Sequence, residues 1–99
     1  MNMQNLMAQA QKMQRDIESK KKELDSMEFT GRSEWIEVIF SGDKVLKNVK
    51  ILKDGIIDED DKEILSDMFQ IAVKDAFIKI NNETTKVLGK YSNMMNGLF

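Results

Sequence analysis

Residues 35–52 of the 99-residue chain read WIEVIFSGDKVLKNVKIL, and this stretch decides the fold. Side chains of a β-strand point alternately to its two faces, so Ile36, Val38 and Phe40 in the first half share one face of a predicted strand. Gly42 follows within Ser-Gly-Asp-Lys, and we expect it to supply the positive φ angle of a tight hairpin turn. In the second half, apolar and polar residues alternate imperfectly, which predicts a bulge or an exposed edge in the returning strand. The stretch therefore predicts an antiparallel hairpin.

Upstream of the hairpin, residues 1–27 carry the pattern of one long helix, with an apolar period that begins at Met3. Apolar residues recur at intervals of three and four, as a narrow stripe of two positions in seven. The stripe consists of Met3, Leu6, Ala10, Met13, Ile17, Leu24 and Met27. Such a stripe is typical of a helix that lies against one other helix. Phe29 and Thr30 then form a short extended segment, which Gly31 is expected to end.

Downstream of the hairpin, residues 58–95 carry the pattern of a second long helix. Asp58 is a suitable N-cap, and the acidic residues after it suit the positive end of the helix dipole. The buried stripe is predicted to consist of Ile64, Leu65, Met68, Phe69, Ala72, Ala76 and Ile80. Asn96-Gly97 is expected to stop the helix, which leaves residues 96–99 as a tail.

Together these segments predict one domain over residues 1–99, with an α/β fold of the α+β type. A long N-terminal helix is followed by a small antiparallel three-stranded sheet within residues 28–53, and then by a long C-terminal helix.

Both predicted helices are too long for a compact domain of this size. A compact chain of this length has a radius of gyration of about 13 Å. The second helix alone would be about 54 Å long at the α-helical rise. A sheet of two or three strands is also poorly stable unless something covers its face. The economical solution is a twofold homodimer in which the helices and sheets of both chains share one core.

The composition disfavours catalysis and most bound ligands. The chain has no cysteine and no histidine, which removes thiolate nucleophiles, the commonest general base and the usual soft-metal ligands. The acidic residues at 58–63 lack EF-hand spacing, so we interpret them as a charged helix N-terminus. We therefore expect no catalytic residue, metal, cofactor or small-molecule substrate. Without an apolar run of membrane-spanning length or a signal-peptide pattern, we expect a cytoplasmic protein without membrane contact.

Positive charge is concentrated in the N-terminal half of the chain. The formal net charge is −2, yet residues 1–53 hold ten Lys/Arg against eight Asp/Glu. The candidate phosphate-contacting residues are Lys12, Arg15, Lys20, Lys21, Lys22 and Arg32. Basic residues on a projecting helix can neutralise phosphates and release counterions. The alternative is a solvated helix face, because Asp16 and Glu18 lie among the positive residues.

A second basic series follows the hairpin turn. It consists of Lys44, Lys47, Lys50 and Lys53, without an acidic residue between them. The series could contact phosphates, but lysines on an exposed edge strand also discourage edge-to-edge pairing, and we favour this second interpretation.

Four segments resemble the YbaB/EbfC family of nucleoid-associated proteins. Residues 5–14 (NLMAQAQKMQ) resemble its opening, and residues 29–31 (FTG) its short first strand. Residues 60–68 (DDKEILSDM) and 72–76 (AVKDA) resemble the start and middle of its second helix. The resemblance implies a tweezer-like, intertwined α/β homodimer that is associated with the nucleoid, binds duplex DNA and has no catalytic activity. A structural or adaptor protein, which docks another protein through its helical seam, is the alternative.

Overall fold

The computed structural model describes residues 2–91, and its elements follow the predicted order. Helix α1 spans Met3–Ser26 and helix α2 spans Lys62–Leu88. Between them lie three strands, β1 (Glu28–Arg32), β2 (Ile36–Ser41) and β3 (Leu46–Ile51). The strands form one antiparallel sheet with β2 in the centre, which confirms the predicted α+β arrangement.

The boundaries differ from the predictions at three places. Strand β1 continues through Gly31 instead of ending there. A 3-10 turn, Glu59–Asp61, precedes α2, and Asp58 caps this turn by accepting a 3.0 Å hydrogen bond from the Asp60 amide. Helix α2 ends at Leu88 and is followed by a further 3-10 turn. The predicted helical residues 92–95 and the predicted tail lie outside the described residues.

The hairpin contains the predicted bulge but uses Gly42 differently from the prediction. The register between β2 and β3 shifts between Ile39 and Phe40. The positive φ angle of the turn belongs to Lys44, at 65°. Gly42 instead lies against the end of α1, where an added Cβ would be only 2.7 Å from the carbonyl carbon of Leu24. Gly42 is therefore required for close packing and not for an unusual backbone conformation.

The main core lies between α2 and one face of the sheet. It consists of Ile36, Val38, Phe40, Ala72, Ala76 and Ile80, all buried. Helix α2 runs over β1 and β2, and Gly31 lies directly beneath it. An added Cβ at Gly31 would be 2.6 Å from the backbone nitrogen of Ala76. The predicted burial of Ile64 is wrong, because Ile64 is turned about 80° around the helix from Ala72 and is exposed.

A second, smaller core joins the two helices. Ile17 and Leu24 of α1 pack against Leu88 and Tyr91 at the end of α2. Met13 also packs against this core, and the part of α1 before Met13 extends beyond it, so Met3 is 76% exposed rather than part of a buried seam. The prediction is thus confirmed for Met13, Ile17 and Leu24, whereas Met3, Leu6 and Met27 of the predicted stripe are exposed.

The described chain is long and narrow. Its principal extents are 70 × 19 × 16 Å, and its radius of gyration is 19.3 Å. This radius exceeds the value of about 13 Å for a compact chain of this length. The helices overrun the sheet, as predicted. Neither helix within residues 2–91 has the length and apolar character needed to cross a membrane.

Candidate nucleic-acid interface

Helix α1 carries five of the six candidate residues, and all five are exposed. Lys12 lies at the end of the projecting part, just ahead of the contact at Met13, and Arg15 follows it on the exposed side of the helix. The series Lys20–Lys22 lies beside the body of the protein. At 100° per residue, Lys12, Arg15 and Lys22 fall on the face of α1 opposite the apolar stripe. These residues can therefore contact an external ligand without disturbing the packing of α1.

The five basic residues of α1 are largely free of carboxylates. Lys20 lies 3.9 Å from Glu23, which is an exposed pair one helical turn away. Within residues 2–91, Lys12, Arg15, Lys21 and Lys22 form no salt bridge. The first acidic residue of the chain is Asp16, so α1 up to Arg15 carries only positive side-chain charge. This arrangement suits a polyanion.

Arg32 is separated from the basic residues of α1. It lies at the end of β1 that is distant from α1, about 13 Å along the strand from Glu28. Its guanidinium group pairs with Glu37 on β2. The structure does not bring Arg32 together with the lysines of α1, although they are close in sequence.

The surroundings of Arg32 form a polar seam between β1 and α2. The Arg32 amide donates a 3.0 Å hydrogen bond to Asp75, and the Lys79 ammonium donates a 2.7 Å bond to the carbonyl of Thr30. The hydrogen bond from the Arg32 side chain lowers the pKa of Glu37. The Arg32 amide, and secondly Lys79, lower the pKa of Asp75. The seam fixes α2 on the outer strand β1.

We expect acid to destabilise the protein through these carboxylates and Asp61. The Asp58 amide, and then Lys53, lower the pKa of Asp61. All three carboxyl groups have lower pKa values in the folded chain than in the unfolded chain. Their contribution to the stability of the fold is therefore complete above the unfolded-state pKa of about 4. It is lost as the pH falls through the lower folded-state values.

Urea unfolding followed by circular dichroism tests this expectation. The midpoint should stay level from pH 7 to pH 5 and fall below about pH 4. Asp75→Asn should make that acid decline shallower, whereas a midpoint that rises on acidification would contradict the assignment.

The lysine series after the turn is not a uniform basic strip. Lys53 is engaged, because its ammonium group lies 3.2 Å from Asp61 and 5.2 Å from the centre of the Trp35 ring. Lys44 lies over the ring of Phe77. Lys47 and Lys50 are exposed on or beside the outer strand β3. This distribution agrees with the interpretation that these lysines protect a sheet edge.

An apolar groove, which the sequence pattern did not predict, lies between β3 and α2. Helix α2 covers β1 and β2 but not β3. The side chains of β3 on the α2 side of the sheet are therefore uncovered, and Val49 and Ile51 are 39% and 55% exposed. The groove has a volume of about 380 Å³, and Leu65 and Phe69 form its α2 side. A hollow of about 470 Å³ continues along α2 past Val73 and Phe77. The apolar residues of β3 were the available sequence signal.

The acidic residues before α2 accept hydrogen bonds from one another's backbone amides, and Asp61 also pairs with Lys53. The Asp58 side chain accepts a hydrogen bond from the Asp61 amide, and the Asp61 side chain accepts one from the Asp58 amide. This reciprocal pattern is a capping box. The described residues contain no group of carboxylates arranged to hold a metal ion. The geometry fits the helix-start interpretation.

Comparison with known proteins gives one consistent result. A model of the YbaB/EbfC DNA-binding family matches residues 1–95. A nucleoid-associated protein of Streptococcus agalactiae serotype III is 40% identical over 97 residues, which cover 96% of this chain and 97% of the relative. A nucleoid-associated protein of Streptococcus pyogenes serotype M5 matches with the same identity and coverage.

Proposed function

The chain belongs to the YbaB/EbfC DNA-binding family, and we propose that it is a nucleoid-associated protein that binds duplex DNA as a homodimer. In this proposal the projecting α1 helices contact phosphates through Lys12, Arg15 and Lys20–Lys22. The protein has no catalytic role and is located at the nucleoid in the cytoplasm.

The observation that carries the DNA contact is the charge of the projecting helix. The chain has a formal net charge of −2, so binding cannot rest on its overall charge. The basic residues of α1 are exposed, and Lys12 and Arg15 precede the first acidic residue. Phosphate contacts of this kind do not depend on DNA sequence. Arg32 is a weaker candidate than its sequence position suggests, since Glu37 neutralises it.

The uncovered groove supports the homodimer. Three strands span about 14 Å, whereas a helix with its side chains covers about 10 Å. A single α2 therefore leaves β3 bare, and the α2 helix of a second copy is an occupant of suitable width. A twofold interface would present the groove of each protomer to the other and would supply two α1 arms.

We expect Val49→Thr to weaken dimerisation without unfolding the protomer. The two side chains have the same shape, but threonine would place a hydroxyl group in the interface twice, once in each copy. The dissociation constant of the dimer should rise about tenfold, in line with the cost of burying unpaired hydroxyl groups. Sedimentation equilibrium measures this constant. Ile56→Thr is the control, because Ile56 lies on the exposed connection before α2. Equal constants for the wild type and Val49→Thr would exclude the groove as the interface.

Fluorescence anisotropy with a labelled duplex across a salt series tests the DNA contact. If the dimer contacts four to six phosphates, log K should fall against log salt with a slope of roughly −4 to −5. Unchanged anisotropy at low salt and micromolar protein would contradict the proposed function.

A further inference from the structure

Helix α2 carries a line of three exposed isoleucines on its outer face. Ile64, Ile71 and Ile78 are 43%, 53% and 49% exposed. Their spacing of seven residues is nearly two helical turns, so they form one line about 21 Å long. We call these three residues the isoleucine row. Single exposed apolar side chains are ordinary, but a row at this spacing is typical of a helix that packs against another helix.

The isoleucine row faces away from the core and from the groove beside β3. Ile71 lies about 140° around the helix from Ala76, which faces the sheet. It lies about 160° from Phe69, which lines the groove. Ile78 lies at the edge of the hollow that continues from the groove. A second copy in the groove would therefore leave Ile64 and Ile71 uncovered.

Two charged residues beside the row indicate what covers it. Asp67 and Lys74 each follow an isoleucine of the row by three residues, so both lie on the same flank of the row. Both side chains are exposed, and neither forms a salt bridge within residues 2–91. Their midpoint falls between Gln70 and Ile71, next to the centre of the row.

An antiparallel pair of α2 helices would bring these charges together. A twofold axis beside Ile71 places the row of one helix on the row of the other and sets matching flanks side by side. Asp67 lies about 6 Å from Ile71 along the helix axis, and Lys74 lies about 4.5 Å from it in the opposite direction. The rotation therefore sets Lys74 of each helix at nearly the level of Asp67 of the other, and two pairs of opposite charge form. The row and its charges thus fit a second copy of the same chain.

Resting on the proposed homodimer, we propose that dimers of this chain associate with one another through antiparallel contact between their isoleucine rows. Three isoleucines from each copy bury much less than the area of about 1,600 Å² that stable complexes bury, so the contact is weak in free solution. DNA that holds neighbouring dimers side by side raises their effective concentration, and the contact then makes DNA binding cooperative.

Sedimentation velocity without DNA, from micromolar to millimolar protein, tests the contact directly. The wild type should sediment as a dimer at low concentration and as larger species at high concentration. Ile71→Gln should lower the association constant of the dimers by about tenfold, because both copies lose an apolar contact at the centre of the interface.

An exchange of the two charges is the matched control. Asp67→Lys and Lys74→Asp, made separately, each set like charges opposite each other and should weaken the association on the order of fivefold. The double variant Asp67→Lys/Lys74→Asp has the net charge of the wild type and should restore the association. Both residues are exposed, so the fold should be retained in all three variants.

DNA binding supplies a second readout. On a long duplex that holds several dimers, the wild type should bind with a Hill coefficient above one, and Ile71→Gln should bind without cooperativity. On a short duplex that holds one dimer, the two proteins should bind with equal affinity.

Three outcomes would overturn the inference. A wild type that stays a dimer at every concentration and binds the long duplex without cooperativity would overturn it and leave the proposed function intact. An Ile71→Gln protein that sediments as a monomer would show that the row lies inside the dimer. A double variant that associates no better than the single variants would contradict the antiparallel pairing. No DNA binding by the wild type would remove the proposed function, whereas association without DNA would still support the contact between rows.

Discussion

Gly31→Ala is expected to destabilise the protein by about 3 kcal/mol or more, a large share of the stability of a small domain. The added Cβ would be 2.6 Å from the backbone nitrogen of Ala76, 2.7 Å from its Cβ, and closer still to the carbonyl oxygen of Ala72. Two of these atoms belong to the backbone of α2, so no side-chain rotation can relieve the overlap. The helix would have to move away from β1, and the buried side chains between them would lose contact.

Urea unfolding at neutral pH measures this effect, and Gly89→Ala is the matched control. Gly89 has right-handed helical angles, and its nearest side-chain neighbour would be 3.9 Å from an added Cβ. The control should be as stable as the wild type, or more stable by up to about 1 kcal/mol. A Gly31→Ala protein within 0.5 kcal/mol of the control, a difference typical of surface substitutions, would contradict the close contact between α2 and β1.

Charge reversal at Lys20, Lys21 and Lys22 is expected to weaken DNA binding on the order of a hundredfold at moderate salt. The substitutions replace attraction to phosphate by repulsion on both arms of the dimer. All three residues are exposed, so the fold should be retained. The loss should be the same for unrelated DNA sequences, because phosphate contacts carry no base information.

Reversal of Lys44, Lys47 and Lys50 is the control for this experiment. It makes the same change in net charge beside β3, and we expect it to alter affinity by a few-fold at most, provided that sedimentation shows an unchanged dimer. Equal losses in the two variants would show that overall charge, and not the α1 face, governs binding.

Local features of the fold were predictable from the sequence. The alternation at residues 36–40, the bulge in the returning strand and the cap at Asp58 each depend on neighbours within a few residues. The helix period likewise predicted that Ile17 and Leu24 would pack. Such features are set by backbone geometry and side-chain spacing, which a single chain displays directly.

The errors concern relations between distant elements. The hairpin sequence predicts a turn conformation for Gly42, but glycine is required there because the end of α1 packs against it, which the hairpin sequence does not reveal. The heptad pattern predicts a seam that is buried from Met3 onward, but the described contact with α1 involves only Leu88, Tyr91 and Val87 and reaches no farther than Met13. Closeness in sequence groups Arg32 with the lysines of α1, but β1 places it at the far end of the sheet.

The candidate site was predictable to a similar extent. Lys12, Arg15 and Lys22 could be identified because they occupy the side of the helix opposite its apolar stripe, whereas Lys20 and Lys21 lie beside the stripe. The groove beside Val49 could not, since it depends on which two of three strands α2 covers. The spacing of residues in the sequence thus predicted the basic residues of α1. The groove beside Val49 depends on how α2 packs on the sheet.

Sedimentation equilibrium of a short fluorescent duplex, titrated with the protein at low salt, tests the central claim that paired arms of a dimer bind DNA. The complex should gain mass in steps of 23 kDa, twice the chain mass of 11.5 kDa. Steps of 11.5 kDa, or a duplex whose mass does not change, would contradict the account.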